Sequence, residues 1–470
     1  MKKSLALFLV LLCLAAGGLA GMTVWVNRDE ESVEVTQTTL RGDPAAAQGL
    51  TITARSQMYD RLYWDTEFSA QDAGQSQTRF QFSLRKKDWS SDRAWAPNLN
   101  LPSFRGSMSS SGELDLEQEG AVWWSGMLIP PAAIAQAKAM GPNQTKTVTV
   151  NLADQYDCYP IFIDEGYYYF GDEEKVAEMQ KRQEAIQHFF NIPVPPEIQV
   201  TYTFTTNATG GVMEVGCDSQ QDIAWDSTAA PGEEGCFYIL DSYISPEEQT
   251  QDAVQLDFSQ IRDGYGVYFI PYQQQTQDMD QEKLLDVGQI RTVYVVPQEE
   301  RTVELQTDEK GHLLLYTAVR DTWYLNILSG DGQQLLQRLE LGELGGSAYM
   351  DAPLEGEDYL LLFFNRHQLC LLTWDGACYA LKHTLQIPED EKWDRVGREQ
   401  IAQWDGQRLA LLERDDTSRD NIGYRLTVWQ EGELTYQGEY ALSFQKDNAA
   451  HRYSGDLILP VRENAIELHG

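Results

Sequence analysis

The chain has 470 residues, with 36 basic and 72 acidic side chains and a net charge of −36 at pH 7. A surface charged so one-sidedly repels nucleic acid and anionic lipid headgroups, which makes both poor partners, and the same acid keeps an exported protein soluble. A chain this long has room for one large repeat domain or for two to three ordinary domains.

The first charged residues are Lys2 and Lys3, and none follows until Arg28, Asp29 and Glu30. Between them, from Leu5 to Val26, every residue is apolar or small. As a helix these 22 residues would extend roughly 33 Å, enough for a hydrocarbon core of about 30 Å. The lysines place the amino terminus inside and the remainder outside, and Trp25 suits the far interface. Residues 1–27 are therefore expected to be a membrane anchor; the alternative is a cleaved signal peptide, for which Gly18-Leu19-Ala20 offers small residues. Cys13 reads as one more apolar side chain of that helix. With about four residues on the inner side, the chain would need a membrane partner to carry a signal inward.

Residues 28–49, acidic and Thr-rich with Ala45-Ala46-Ala47, are expected to form a flexible stalk. Beyond it, Thr51 to Phe68 and Thr78 to Ser83 alternate as strands do. Pro131 to Met140 opens with proline and stops at Gly141-Pro142, as a short helix should. Asp172 to Phe190 places Val176, Met179, Ile186 and Phe190 on one helical face, a stripe that reads as core packing. Five cysteines follow: Cys158, Cys217, Cys236, Cys370 and Cys378, an odd number that rules out complete pairing within one chain. Cys217 and Cys236 are the expected disulfide. Cys370 and Cys378 flank Asp375-Gly376, and a two-residue hairpin turn would set Thr373 opposite Cys378, with the two sulfurs on opposite faces of the ribbon.

Short apolar runs recur just after glycines. Gly266, Gly311, Gly356, Gly406 and Gly455 stand 45, 45, 50 and 49 residues apart. Acidic-Gly turns keep step with them at Asp331-Gly332, Asp375-Gly376 and Glu431-Gly432, supplying the positive φ that a tight hairpin requires. Each unit thus reads as three or four antiparallel strands.

By its period this repeat resembles the blades of β-propeller proteins. The resemblance covers Asp263 to Gly470 well and the upstream region loosely. Motifs do not match as the period does: of the Trp-Asp dipeptides at Trp64, Trp225, Trp374, Trp393 and Trp404, Trp374-Asp375 alone is expected to end a strand as in the WD type, and Gly311-His312 is the one Gly-His of that family's pattern. The resemblance implies an all-β fold with two short helical insertions, a propeller of about seven or eight blades, preceded by one transmembrane helix. In that reading residues 50–470 are one propeller-like ectodomain; alternatively 50–260 form a separate β-rich domain and 261–470 the repeats. The last strands, Leu457 to Leu468, invite closure by strands from the amino-terminal side. Thr51-Ile52-Thr53, Tyr63-Trp64-Asp65-Thr66, Tyr156-Asp157-Cys158-Tyr159-Pro160 and Asn191-Ile192-Pro193-Val194 also resemble phrases of uncharacterised single-pass proteins of Gram-positive bacteria, a resemblance that implies no activity.

Catalytic motifs with fixed spacing are missing from the sequence: there is no G-x-S-x-G, G-x-x-x-x-G-K-S/T, H-E-x-x-H or C-x-x-C. His188, His312, His367, His383, His451 and His469 stand singly. Asp278-Met279-Asp280-Gln281-Glu282 has alternating acids, but Lys283 occupies the place where an EF-hand needs glycine. Asp415, Asp416, Asp420 and Asn421 read as a solvated turn. No catalytic, cofactor or metal residue is therefore expected. The sequence points to an extracytoplasmic, membrane-tethered binding or sensory protein with a protein or carbohydrate ligand. The alternatives are a scaffold subunit of an envelope complex and a carbohydrate-active enzyme on the same ring.

Overall fold

The computed structural model describes residues 10–18, 20–21, 24, 33–58, 62–82, 97–100, 106–116, 128–164, 173–219, 222–223, 226–241, 253–254, 256–273, 284–343, 353–364, 368–388, 400–415, 422–444, 459–460 and 466–469. The fold is all-β, built mainly from antiparallel sheets with a few helices. The chain divides into two compact units, one made of Met1–Arg93 with Asp351–Gly470 and the other of Ala94–Met350. The division falls at 93/94 and 350/351, with both chain ends in the same unit, and not at 260/261.

In the unit that holds both termini, Leu354–Glu355, Tyr359–Phe364, Gln368–Trp374 and Tyr379–Gln386 pair in chain order as one antiparallel meander. Tyr359–Phe364 is apolar throughout and every residue in it is buried, so this strand is covered on both faces. Gln400–Trp404, Arg408–Asp415, Ile422–Gln430 and Glu433–Phe444 form the next meander. One face of it packs Leu409, Leu411 and Trp429 with Leu361, Phe363 and Leu371 of the preceding sheet. The other face packs Leu412, Leu426 and Tyr440 with Ile52, Phe68 and Leu468.

A third sheet joins the two ends of the chain. Thr51–Met58, Leu62–Ser69 and Gln77–Phe82 form a meander whose free side is taken by the carboxy-terminal strand Ile466–His469, with Thr51 opposite His469 and Ala54 opposite Ile466. Leu459–Pro460 pairs with Ser56 and Gln57 further along. Closure of the last strands by the amino-terminal side is thus present in the register.

Acidic-Gly turns behave as their chemistry requires. Asp375 Oδ1 accepts the N–H groups of Ala377 and Cys378 at 2.9 and 2.8 Å while Gly376 takes φ 97°. Asp405 Oδ1 does the same for Gln407 and Arg408 at 3.0 and 2.7 Å, with Gly406 at φ 95°. Trp404-Asp405 therefore ends a strand just as Trp374-Asp375 does. The Asp375 hairpin differs from the expected two-residue turn. Its loop runs from Asp375 to Cys378, so Trp374 faces Tyr379, Thr373 faces Ala380, and a bulge beyond Leu372 brings Thr384 opposite Cys370. Two extra loop residues are what the side-chain cap of Asp375 needs to satisfy both N–H groups.

The stalk expectation is corrected. Val33–Gly42 is a strand on the outer side of Glu433–Phe444, from Val33 opposite Phe444 to Gly42 opposite Tyr436. Val33, Val35 and Gln37 alternate inward. The Gln37 side-chain amide donates to Ala70 O at 3.2 Å and to Tyr436 Oη at 3.0 Å, and its Oε1 accepts from Ala73 N at 3.1 Å. The Ala-rich run becomes a 3-10 turn, Pro44–Ala47, capped by Asp43.

The Ala94–Met350 unit contains two further meanders, Asp226–Pro231, Gly235–Asp241, Gly266–Pro271 and Arg291–Val295, then Arg301–Thr307, Leu313–Val319, Thr322–Leu328 and Leu335–Glu343. Another sheet has the order Gly106–Ser109, Val212–Ser219, Gln199–Thr206, Thr145–Asn151, which is not a simple meander. Two helices accompany it, α1 (Pro131–Lys138) and α2 (Glu173–Phe190), close to the expected ranges. Ile186, Phe189 and Phe190 of α2 are buried, and both phenylalanine rings meet Tyr268 edge-on at 5.9 and 5.0 Å. The stripe is core packing at these positions; the side chains of Val176 and Met179 lie outside the described residues.

At the amino terminus Val10 to Gly18, Ala20, Gly21 and Val24 are helical. Among the described residues no helix is long and apolar enough to cross a membrane.

Candidate functional site

Cys217 lies on Val212–Ser219 opposite Tyr202, and Cys236 lies on Gly235–Asp241 opposite Ile270. Both belong to the same buried apolar cluster and both are thiols in this structure. Cys236 Sγ is 3.4 Å from Tyr272 Oη, and burial pushes the Cys217 thiol up to about 11. Cys370 is buried on its strand while Cys378 is exposed in the turn.

Among the described residues no group of three or more His, Cys, Asp or Glu side chains is placed to hold a metal ion. Asp278 to Glu282, Asp416, Asp420 and Asn421 lie outside those residues, as do His367 and His451. His312 Nδ1 meets Asp308 Oδ2 at 2.8 Å within one turn, and His469 pairs with Glu467 at 3.3 Å.

The buried charges are features that motif searching missed. Glu300, 4% exposed, takes Arg338 on Oε1 at 2.6 Å and Thr317 on Oε2 at 2.8 Å, and Thr317 in turn receives the Asn326 amide at 2.8 Å. A second set crosses the last meander as one row: Gln400, Glu413, Arg425, Glu439 and Thr38 are successive cross-strand neighbours. Glu413 and Arg425 are buried, and Arg425 donates to Glu439. In the end-joining sheet, Arg55 contacts Asp65 at 3.5 Å and Glu467 at 2.5 Å. A charge inside an apolar run, as in Leu411-Leu412-Glu413 and Tyr424-Arg425-Leu426, is the signal that could have found the second set. Buried carboxylates held by arginine, hydroxyl or amide within one sheet do structural work; cross-strand pairing of this kind fixes register.

A different arrangement lines the seam between the two meanders of residues 354–444. Trp404, Leu409, Trp429 and Leu434 are successive cross-strand neighbours on one face. The Trp404 ring lies 6.5 Å from that of His383 with 70° between planes. Glycine at 432, with φ 87°, packs its backbone on the imidazole: a Cβ there would sit 2.9 Å from Nδ1. Burial lowers the His383 pKa and Lys382 lowers it further, while the neighbouring Glu431 raises it. The net direction is down, so the imidazole is held neutral at neutral pH. Trp404, His383 and Leu434 are half-buried, and Trp429 is buried with no hydrogen-bond partner for Nε1 among the described residues.

No family model and no curated protein matches the chain. Among solved structures it is similar to the Pseudomonas aeruginosa periplasmic gluconolactonase PpgL, at 10% identity over 83% of this chain and 82% of that one, with a TM-score of 0.25. It is also similar to BamB from Moraxella catarrhalis, at 9% identity over 53% and 80% with a TM-score of 0.22. A Mycobacterium tuberculosis puromycin-hydrolyzing peptidase is similar at 13% identity over 85% and 48%, with a TM-score of 0.25. At these values the similarities carry no argument about ancestry or activity.

Proposed function

We propose that the chain is an extracytoplasmic binding or sensory protein without catalytic activity, tethered to a membrane by Leu5–Val26 and carrying a β-propeller-like body. The observation that carries the location is the exposure of Val10, Leu11, Leu12, Leu14 and Val24, at 55 to 73% on helical backbone. Large apolar side chains in such a row are stable only when something apolar surrounds them. Support for binding over chemistry comes from the buried carboxylates Glu300, Asp308 and Glu413, which are engaged by Arg338, His312 and Gln400, each within its own sheet or turn. The blade-like meanders, and the carboxy-terminal strand completing the sheet of Thr51–Phe82, support the propeller-like reading of the body.

Fractionation tests the tether. The full chain is expected in the membrane pellet after alkaline carbonate washing, and a chain lacking residues 2–26 is expected in the soluble fraction. Release of the full chain by carbonate would remove the anchor from this reading.

A further inference from the structure

Arg41-Gly42-Asp43 joins the strand Val33–Gly42 to the 3-10 turn Pro44–Ala47, and all three residues are exposed. The fold itself requires two of them. Gly42 takes φ 71° beside Thr435 O, where a Cβ would lie 1.9 Å from that oxygen. Asp43 accepts the Ala45 N–H on Oδ1 at 2.9 Å and donates its own N–H to Thr435 O at 3.2 Å. Packing does not require Arg41, whose side chain has no ion pair or hydrogen bond among the described residues. A bulge at Leu40 aims it outward. Thr39 faces Gly438 and Arg41 faces Gln437, so the extra residue moves Arg41 from the inward face of Val35 and Gln37 to the exposed face of Thr36 and Thr38. Bulges re-aim side chains in this way at the edges of sheets and beside functional sites. Asp43 Oδ2 has no partner among the described residues, while the cap through Oδ1 holds the carboxylate in one orientation. The strand sets this pair of charges roughly 30 Å from Val33.

We propose that Arg41-Gly42-Asp43 is an adhesion site for a cell-surface receptor of the integrin type. Such a receptor takes a guanidinium in an acidic pocket and a carboxylate oxygen as a ligand of a divalent cation that the receptor itself holds. Arginine supplies the planar fork of donors for the first contact, and a carboxylate is the hard oxygen ligand that Mg²⁺ or Mn²⁺ prefers for the second. Here the two charges stand on either side of a glycine turn, exposed and not paired with each other. The ladder to Glu433–Phe444 and the cap hold their backbone in place, which spares the ordering entropy that a flexible peptide loses on binding. No movement of the sheet is needed for access, because Val33–Gly42 is the outermost strand of its sheet among the described residues. The proposal rests on the extracytoplasmic reading above, since only a body outside the cell meets such a receptor, and it names the class of partner for that body.

Biolayer interferometry of the purified full chain on an immobilised integrin ectodomain that binds Arg-Gly-Asp peptides tests this directly. Binding is expected in Mn²⁺, is expected to vanish in EDTA, and should be displaced by the free peptide Gly-Arg-Gly-Asp-Ser. Asp43→Asn should lower the affinity about tenfold or more. Asparagine caps a helical turn as well as aspartate does, so this variant should melt with the wild type while losing the cation ligand. Arg41→Gln, at an exposed position whose side chain has no partner among the described residues, should weaken binding as much and serves if the first variant fails to fold. No binding by the wild type overturns the site, and so does binding that survives EDTA or is unchanged in the folded variants. Membrane fractionation is independent of that result: a chain that binds the receptor but is washed off by carbonate loses the tether and keeps the site, and the reverse outcome does the opposite.

Discussion

Glu300 follows Glu299 in a short link between sheets, and nothing local distinguishes the two. Glu299 is exposed, whereas Glu300 is buried against Arg338 and Thr317. Removing one partner of such a set strands the others. Glu300→Ala is expected to lower the unfolding free energy by about 2–3 kcal/mol, at the low end for a buried pair because Arg338 keeps part of its hydration; urea denaturation reads it. The thiols of Cys217 and Cys370 supply a pH dependence. Burial pushes both from an ordinary 9.0 up to about 11, so the folded state holds the proton more tightly than the unfolded chain does. Their contribution to stability is complete below pH 9 and declines as pH rises toward about 11. Thermal melts are expected to fall across that window, and less steeply in a Cys217→Ala/Cys370→Ala chain. Residue identity was legible where it acts locally, as at Asp375 and Asp405 capping their turns. It was not legible at Glu300, and at Arg425 the charge inside an apolar run marks the residue but not its partners, which are supplied by strands that only the fold brings near.

Elements were legible in proportion to how local their cause is. Helix α2 begins one residue from its expected start and ends at Phe190 because its apolar spacing and the prolines just beyond its end, from Pro193, lie in the local sequence. Strands 51–58, 62–69 and 77–82 likewise follow alternation. Val33–Gly42 is not legible as a strand because its partner is nearly 400 residues away: the alternation Val33, Val35, Gln37 has meaning only against Glu433–Phe444. Gly42 marks the end of that pairing, with φ 71° and a Cβ position 1.9 Å from Thr435 O. Gly42→Ala is therefore expected to destabilise the unit by about 1–3 kcal/mol, read as a lower denaturation midpoint. The closing strand makes a separate prediction. Deleting Ile466–Gly470 uncovers the edge of Thr51–Ala54, so hydrogen exchange should accelerate there while Leu62–Ser69, flanked on both sides, stays protected. Unchanged exchange at 51–54 would mean that Ile466–His469 does not close the sheet.

For the whole molecule, composition and period carried most of what the sequence could tell. The glycine spacing foretold consecutive meanders at 301–343, 354–386 and 400–444, because each unit repeats the same strand-and-turn chemistry. It also left the last unit short at Leu457 to Leu468, which foretold closure from the amino-terminal side, but it could not foretell which strands meet: Val33–Gly42 pairs with Glu433–Phe444 and Thr51–Met58 with Ile466–His469. The aromatic seam was half legible: Trp404-Asp405 and Trp374-Asp375 stood out as dipeptides, but the approach of His383 to Trp404 depends on how two sheets pack. Location rests on the apolar run at the amino terminus, and Cys378, exposed in its turn, offers a native reporter of it. Intact cells should be treated with a membrane-impermeant maleimide and compared with cells expressing Cys378→Ser. The account predicts that the membrane-bound chain is labelled from outside and that the serine variant loses most of that label; labelling of Cys378 only after the cells are opened would contradict it.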